Sequence, residues 1–408
     1  MHEAAGLCKC IRLAQAPRPG PCAARKRPPP GTSCPRSPSP KPVPEARPMQ
    51  IDLAQHLGSL LHGHVGLIRR ADGVQPVRLP AGERRLHDPF TRWMAAMTAG
   101  IRLRLVTDSP WLRLSTTQHQ AYLIRPGQWP ARYELFVDGQ PAGRFVARGG
   151  AQRAPEGPLI GDPEAELDLG GWSPGTRRIE LWFPQGATVA LRRIAIADGA
   201  RLEPWPDPRP VIVFHGSSIT HGVEVESGSG SWPSVAAGLA GAQAVNLGWA
   251  GSCLMSGLAA RIVRDRPADR IVLELGINVW GEGLLKERTF ADAAHAMLAI
   301  IREGHPDTPV TVVSPIFSPS REACGEAGGL SLQRMRAILA GVVADRVAIG
   351  DRRIAALSGL DLLGPSEARS LPDGLHPNLA AYRRIGARFH AAVLAAPDAG
   401  PPAAPPGA

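Results

Sequence analysis

Ser217 and Ser218 follow directly on the apolar run Val211-Ile-Val-Phe214, with Gly216 just ahead to permit a tight turn. A hydroxyl displayed at the mouth of a buried strand becomes a nucleophile once a neighbouring base takes its proton. A suitable base lies far downstream, in Leu371-Pro-Asp-Gly-Leu-His-Pro-Asn378. There Asp373 and His376 are three apart, a spacing that lets the carboxylate accept from one imidazole nitrogen. Pro377 is expected in the first turn of the following helix, holding the histidine at the same mouth. Between these blocks, Asn246-Leu-Gly-Trp-Ala-Gly-Ser252 and Glu274-Leu-Gly-Ile-Asn278 each close another apolar run. They offer backbone and carboxamide N–H donors, the groups that stabilise negative charge developing on a carbonyl oxygen. Nucleophile, base, orienting acid and donors are the parts of acyl-transfer chemistry.

Each block also has a plain structural explanation. Ser217 and Ser218 can cap a helix N-terminus, and Asp373-Gly-Leu-His376 can be a capping turn. Their occurrence together and in order is what favours the chemical reading. Other signatures are missing from the chain: the GxSxG elbow, the GxxxxGK[ST] phosphate loop, and a GxGxxG dinucleotide turn after a strand. His215 and His221 flank the serines and receive no role. Cys253 reads as small core filler.

The four blocks resemble those of the SGNH/GDSL hydrolase family, over about 208–392. Gly216-Ser217-Ser218, Asn246 through Gly251, Gly276-Ile-Asn278, and Asp373 with His376 match the family's motifs in order. The resemblance implies Ser218 as nucleophile, His376 as general base and Asp373 as its orienting partner. It implies an oxyanion hole from the Ser218 amide, the Gly251 amide and the Asn278 side chain, with no cofactor and no metal. Two positions depart from the pattern: Ser217 stands where the family usually has aspartate, and so does Val279. A strand-rich region followed by Gly216-Ser-Ser-Ile-Thr-His-Gly222 also looks like a two-domain subgroup that includes a polyketide-tailoring salicylyl acyltransferase.

The elements that must position these residues fall into two regions. Over 49–207, Ile101–Val106, Leu112–Leu114, Tyr133–Val137, Arg178–Phe183 and Val189–Ile194 alternate in polarity. Asp138-Gly139, Pro174-Gly175, Gln185-Gly186 and Asp198-Gly199 are turn signals between such segments. Short alternating strands at this spacing predict an antiparallel β-sandwich, jelly-roll-like in kind. Six of the nine tryptophans lie here (Trp93, Trp111, Trp129, Trp172, Trp182, Trp205), either as sandwich core or as an aromatic platform for a sugar or aromatic acyl group. Over 208–392 the pattern changes. Val211–Phe214, Ala244–Leu247, Ile271–Leu275, Val310–Ser314 and Val347–Ile349 are short apolar runs, and 288–303 and 331–344 are helical stretches among them. That alternation predicts an α/β fold, a flavodoxin-like three-layer α/β/α domain with its ligand site at the strands' carboxyl ends.

Charge and cysteine usage bound the remaining classes. The chain has 408 residues and a net charge of +10, but residues 1–48 hold 9 Lys+Arg against 2 Asp+Glu. The basic balance therefore belongs to a Pro-rich tail and is no argument for nucleic acid. With 12 prolines and no structural period, 1–48 reads as disordered, or as lying ahead of a true start at Met49. Residues 393–408 read as a frayed end. Four of six cysteines (Cys8, Cys10, Cys22, Cys34) fall in the first tail without zinc-ligand spacing, and a reducing compartment is expected. Neither a signal peptide nor a membrane span is recognised, so the expected location is cytoplasmic.

The expectation is thus a serine esterase or acyltransferase acting on a small-molecule ester or acyl substrate, a glycoside or polyketide among them. Nucleic acid and membrane are not expected partners, and the oligomeric state is open. A sugar-ester deacetylase with a carbohydrate-binding sandwich is the alternative enzyme. A non-catalytic binding protein on the same fold is the alternative of another class.

Overall fold

The computed structural model describes residues 49–395 except 51–52, 72, 123–125, 128–130, 156 and 326–328. Trp129, the tail 1–48 with its four cysteines, and 396–408 lie outside the described residues.

The first region is a sandwich of two sheets. Its principal elements are β1 (Gly66–Arg70), β2 (Gly73–Val77), helix α1 (Pro89–Ala96), β3 (Arg102–Thr107) and β4 (Trp111–Ala121). They continue with β5 (Arg132–Val137), β6 (Gln140–Val146), β7 (Glu164–Gly170), β8 (Arg177–Trp182) and β9 (Ala187–Ile196). One sheet runs β7-β4-β9-β2-β1 and the other β3-β8-β5-β6, with shorter strands at their edges. These neighbours are all antiparallel; a short strand, Ala151–Arg153, lies parallel to the end of β4. The period-2 pattern explains the faces. Leu103 and Leu105 stand opposite Leu181 and Ile179, and Leu181 also faces Leu135 across β8 and β5. These five side chains are essentially buried and fill one inter-sheet core. Asp138 and Gly139 both take positive φ (51° and 79°), the conformation a tight two-residue hairpin needs between β5 and β6.

The second region is wound around a parallel sheet. In chain order come β10 (Val211–Gly216), α2 (Ser218–His221), α3 (Trp232–Leu239), β11 (Gln243–Gly248), α4 (Gly257–Arg264) and β12 (Arg270–Glu274). Then follow α5 (Ile277–Glu282), α6 (Glu287–Gly304), β13 (Val310–Val313), α7 (Leu332–Ala348), β14 (Ile354–Leu357) and α8 (Leu379–Phe389). The strand order is β11-β10-β12-β13-β14, parallel throughout, which is the flavodoxin-like 2-1-3-4-5 arrangement. α3 packs on α8, while α6 packs on both α4 and α7, giving the two helical layers.

Two expectations need correction. Val347-Ala-Ile349 is not a strand: α7 runs through Ala348, Ile349 is 77% exposed, and β14 is supplied by Ile354–Leu357. An apolar triplet on the exposed end of a helix imitates a short strand. Pro377 lies before the helix rather than in its first turn; Asn378 is the N-cap, its side chain accepting from Ala381 N–H. The last helix continues through His390–Leu394, where Val393 and Leu394 pack on the core.

The two regions share buried surface. Leu79, Met94, Ala95, Met97 and Ala121 from the sandwich side belong to the same apolar cluster as Ile212, Val213 and Leu247 of the parallel sheet. Within that seam the fully buried Arg78 donates to the carbonyls of Met94, Met97, Asn246 and Gly248. Burial pulls its guanidinium down to about 9.

Candidate active site

The site lies at the carboxyl end of β10, where the chain turns sharply into the single-turn helix α2. A Cβ at Gly216 would come within 2.3 Å of Thr220 Oγ1 and 2.7 Å of Glu274 Oε2, so only glycine fits there. Ser217 is the N-cap: its Oγ accepts from Ile219 N–H at 3.1 Å. Ser218 is therefore the first helical residue, where amides have no partner within the helix. Capping and display of the hydroxyl are compatible, because different serines perform them.

Ser218 Oγ lies 2.7 Å from His376 Nε2, and His376 Nδ1 lies 2.6 Å from Asp373 Oδ2. The other Asp373 oxygen accepts from the N–H groups of Leu375 (2.9 Å) and His376 (2.7 Å). The turn reading of Asp373 thus holds alongside its contact with the ring. Burial by itself would raise the Asp373 carboxyl, but the bonds and charge of His376 hold it well below the usual carboxylate range. For His376, burial works downward. The bond to Asp373 and the charge of Glu224 outweigh it, so the imidazole sits above its ordinary value. Glu224, just after α2, has Oε1 3.7 Å from His376 Nδ1. Glu224, Asp373 and His376 also have ligand atoms within 4.8 Å of one another, a grouping able to hold a metal ion.

Gly251 belongs to the loop after β11 and Asn278 to the first turn of α5 after β12, β11 and β12 being the two strands that flank β10. Asn278 Oδ1 accepts from Cys253 N–H at 3.0 Å, which leaves its Nδ2 group as the donor. Gly251 takes φ +69°, and its neighbour Ala250 donates its N–H to His221 Nδ1 at 3.3 Å. His221 Nε2 lies 3.1 Å from the Gln185 carbonyl, so the neutral Nε2–H tautomer satisfies both contacts. Burial, aided by Arg78, keeps this ring well below its ordinary value. His215 is likewise buried and pulled down to about 4 by burial, with Nδ1 donating to Leu247 O. Cys253 fills core, and burial pushes its thiol well up.

Several contributors carried no readable sequence signal. Phe90 on α1 reaches from the sandwich side to Gly251: a Cβ there would sit 2.9 Å from its ring. Trp93 lies beside it, ring centroids 6.0 Å apart. Glu274, at the end of β12, takes three bonds from the turn bearing Ser218. Val279 is buried in the apolar cluster, so that position offers packing in place of a carboxylate. Three of the five described tryptophans of this region offer little free ring surface. Trp111 is buried, while Arg177 covers Trp172 at 5.4 Å and Arg104 covers Trp205 at 3.8 Å.

Residues 214–384 match the GDSL-like lipase/acylhydrolase family, and residues 60–192 match the SsfX3 N-terminal domain. The chain carries a GDSL-like lipase/acylhydrolase domain. With that domain it is an enzyme of the ester hydrolase or acyltransferase type. Among solved structures, the chain is similar to the salicylyl-acyltransferase SsfX3 from a tetracycline biosynthetic pathway. The two are 28% identical with a TM-score of 0.73, over 82% of this chain and 94% of that one. A Bacteroides ovatus ATCC 8483 protein described as a GDSL-like lipase is 20% identical, TM-score 0.67, over 82% and 94%. A family two carbohydrate esterase from Clostridium thermocellum, in complex with cellohexaose, shares the fold at 14% identity and TM-score 0.56, over 82% and 98%. No curated protein matches the chain by sequence. No helix among the described residues is long and apolar enough to cross a membrane.

Proposed function

We propose that this enzyme is a serine esterase or acyltransferase that acts on a small carboxylic ester through an acyl-enzyme on Ser218. The observation that carries the reading is the unbroken line of hydrogen bonds from Ser218 Oγ through His376 to Asp373, at 2.7 and 2.6 Å. His376 Nε2 takes the hydroxyl proton as Ser218 Oγ attacks the carbonyl carbon. The resulting oxyanion is met by the Ser218 and Gly251 amides and Asn278 Nδ2, donors fixed before the reaction begins. Asp373 holds the Nδ1–H tautomer and stabilises the imidazolium. On collapse, His376 returns the proton to the leaving alcohol. Water or a second alcohol then attacks the acyl-enzyme by the same steps in reverse.

Residues 49–207 and 208–392 are assigned as two domains that build one site together, the sandwich supplying a wall over Gly251. Phe90 and Trp93 give that wall aromatic character. With the likeness to SsfX3, this supports an aromatic or comparably flat acyl group. A reducing, cytoplasmic location is consistent with Cys253 and Cys324 both being free thiols. Labelling with a fluorophosphonate tests the reading: one adduct on Ser218, lost in Ser218→Ala, is expected. An unlabelled protein, or label retained in Ser218→Ala, overturns it. Product analysis with p-nitrophenyl benzoate, with and without added alcohols, separates hydrolysis from transfer.

A further inference from the structure

Glu274 is a buried carboxylate that the acyl-transfer steps do not use. It ends β12, is 2% exposed, and approaches the turn bearing Ser218 from the neighbouring strand. One of its oxygens, Oε2, accepts from Ser217 N–H at 2.7 Å, Ser217 Oγ at 2.7 Å and Thr220 Oγ1 at 3.2 Å. The donors lie on both sides of Ser218 in sequence, so a single atom ties down the residue before the serine and the residue two after it. The second oxygen, Oε1, is buried with no hydrogen-bond partner.

This arrangement has a cost and must have a reason. A carboxylate removed from water is destabilising unless its oxygens are satisfied, and only one of these is. Burial pushes the group up to about 7, against the pull of the three bonds. A neutral acceptor would cap the turn more cheaply. Helix α2, however, has four residues, too few to hold its own geometry. Whatever fixes the rotation of Ser218 relative to His376 must come from outside the turn. Gly216, which admits no Cβ against Glu274 Oε2, leaves the approach open.

We infer that Glu274 is a positioning residue whose carboxylate, delivered from β12, clamps the Ser217–Thr220 turn and so aims the Ser218 hydroxyl. The inference rests on the reading of Ser218 as nucleophile. Because Ser217 Oγ is in bond contact with Oε2, an aspartate at 217 would bring a carboxylate to the same place from within the turn.

The test uses the full chain and four variants: Glu274→Gln, Glu274→Ala, Ser217→Asp, and Ser217→Asp/Glu274→Ala. A misaimed nucleophile costs about 10²-fold in rate. That loss is expected in kcat for Glu274→Ala, with KM within about twofold and slower fluorophosphonate labelling in proportion. Glu274→Gln keeps one acceptor oxygen and is expected between Glu274→Ala and wild type, which holds the test open if Glu274→Ala does not fold. Ser217→Asp alone places two carboxylates together in a buried space and is expected to be at least as impaired. The double variant should exceed both parents, by about tenfold, a sign reversal that loss of packing would not produce. A kcat within threefold of wild type in Glu274→Ala, or a double variant no better than the better of its parents, overturns the clamp. Ser218→Ala runs alongside: if it is dead while the Glu274 variants are active, only the clamp falls. If Ser218→Ala keeps its turnover, the nucleophile assignment falls and the clamp with it.

Discussion

Arg78 Nη1 donates to the carbonyl of Gly248, joining the sandwich to the last residue of the strand beside the one that leads to Ser218. The same guanidinium takes the Asn246 carbonyl, while Nε and Nη2 reach back to Met97 and Met94. One side chain thus satisfies main-chain acceptors on both sides of the seam, in a space from which water is excluded.

Replacing Arg78 with methionine would keep the bulk and strand those carbonyls. Each buried polar group left unpaired costs about 1–3 kcal/mol, so a loss of about 3 kcal/mol or more is expected. Urea unfolding of the full chain measures it. A fragment starting near 208 should likewise be poorly soluble and largely inactive, since it exposes the apolar seam. Full activity of that fragment towards p-nitrophenyl acetate would refute a shared site.

Ser218→Ala should lose about 10⁴-fold or more in kcat, as removal of a nucleophile does when neighbouring groups cannot replace it. Ser217→Ala should lose far less, since its hydroxyl caps and anchors without attacking. Steady-state rates on one p-nitrophenyl ester compare them directly. The reverse order would move the nucleophile by one residue.

For Asn278→Ala, kcat should fall by about 10²–10³ with KM nearly unchanged, because an oxyanion donor acts on developing charge. An effect confined to KM would instead make Asn278 a substrate-binding residue.

The pH profile follows from His376. It must be neutral to accept a proton, and its pKa lies above the ordinary histidine value. Activity should therefore rise with pH through an acid limb displaced upward. Asp373 and Glu224 hold the limb up, while Arg321 pushes the other way. Glu224→Gln removes one anionic neighbour without touching the Ser218–His376 bond, so the limb of kcat/KM should move to lower pH. A limb that stays in place would leave Glu224 without electrostatic effect on the base.

Phe90→Ala should alter which acyl groups are accepted more than it alters the chemistry. Loss of an apolar wall contact changes discrimination by about 10–200-fold. The ratio of kcat/KM for p-nitrophenyl benzoate to that for p-nitrophenyl acetate reads this out, and an unchanged ratio would remove Phe90 from the pocket.

Local patterns were legible wherever one short segment carried the whole message. Alternation over Tyr133–Val137 and the Asp138-Gly139 pair announced a strand and its turn, because side-chain direction and positive φ are local properties. The order of the serine, glycine, asparagine and Asp-x-x-His blocks could be read for the same reason. Arg78 could not, being one arginine among many until the fold sets it against Gly248. Phe90 and Glu274 matter through contacts with residues about 160 and 57 positions away in the chain, which no window reveals. Val347-Ala-Ile349 misled because three apolar residues cannot distinguish a strand from a helix end.

The contact between Phe90 and Gly251 bears on how such an enzyme changes over time. The wall and the groups proposed to react are encoded some 125 residues or more apart, the first on helix α1 of the sandwich region and the second around the parallel sheet. Acyl preference can therefore drift by substitutions on one short helix while the machinery that breaks the bond is inherited intact. Wholesale exchange of the sandwich is another matter: a donor fold without an arginine at the Arg78 position would leave the recipient strand's carbonyls unmet. Laboratory diversification should begin with randomised positions on α1 rather than with chimeras.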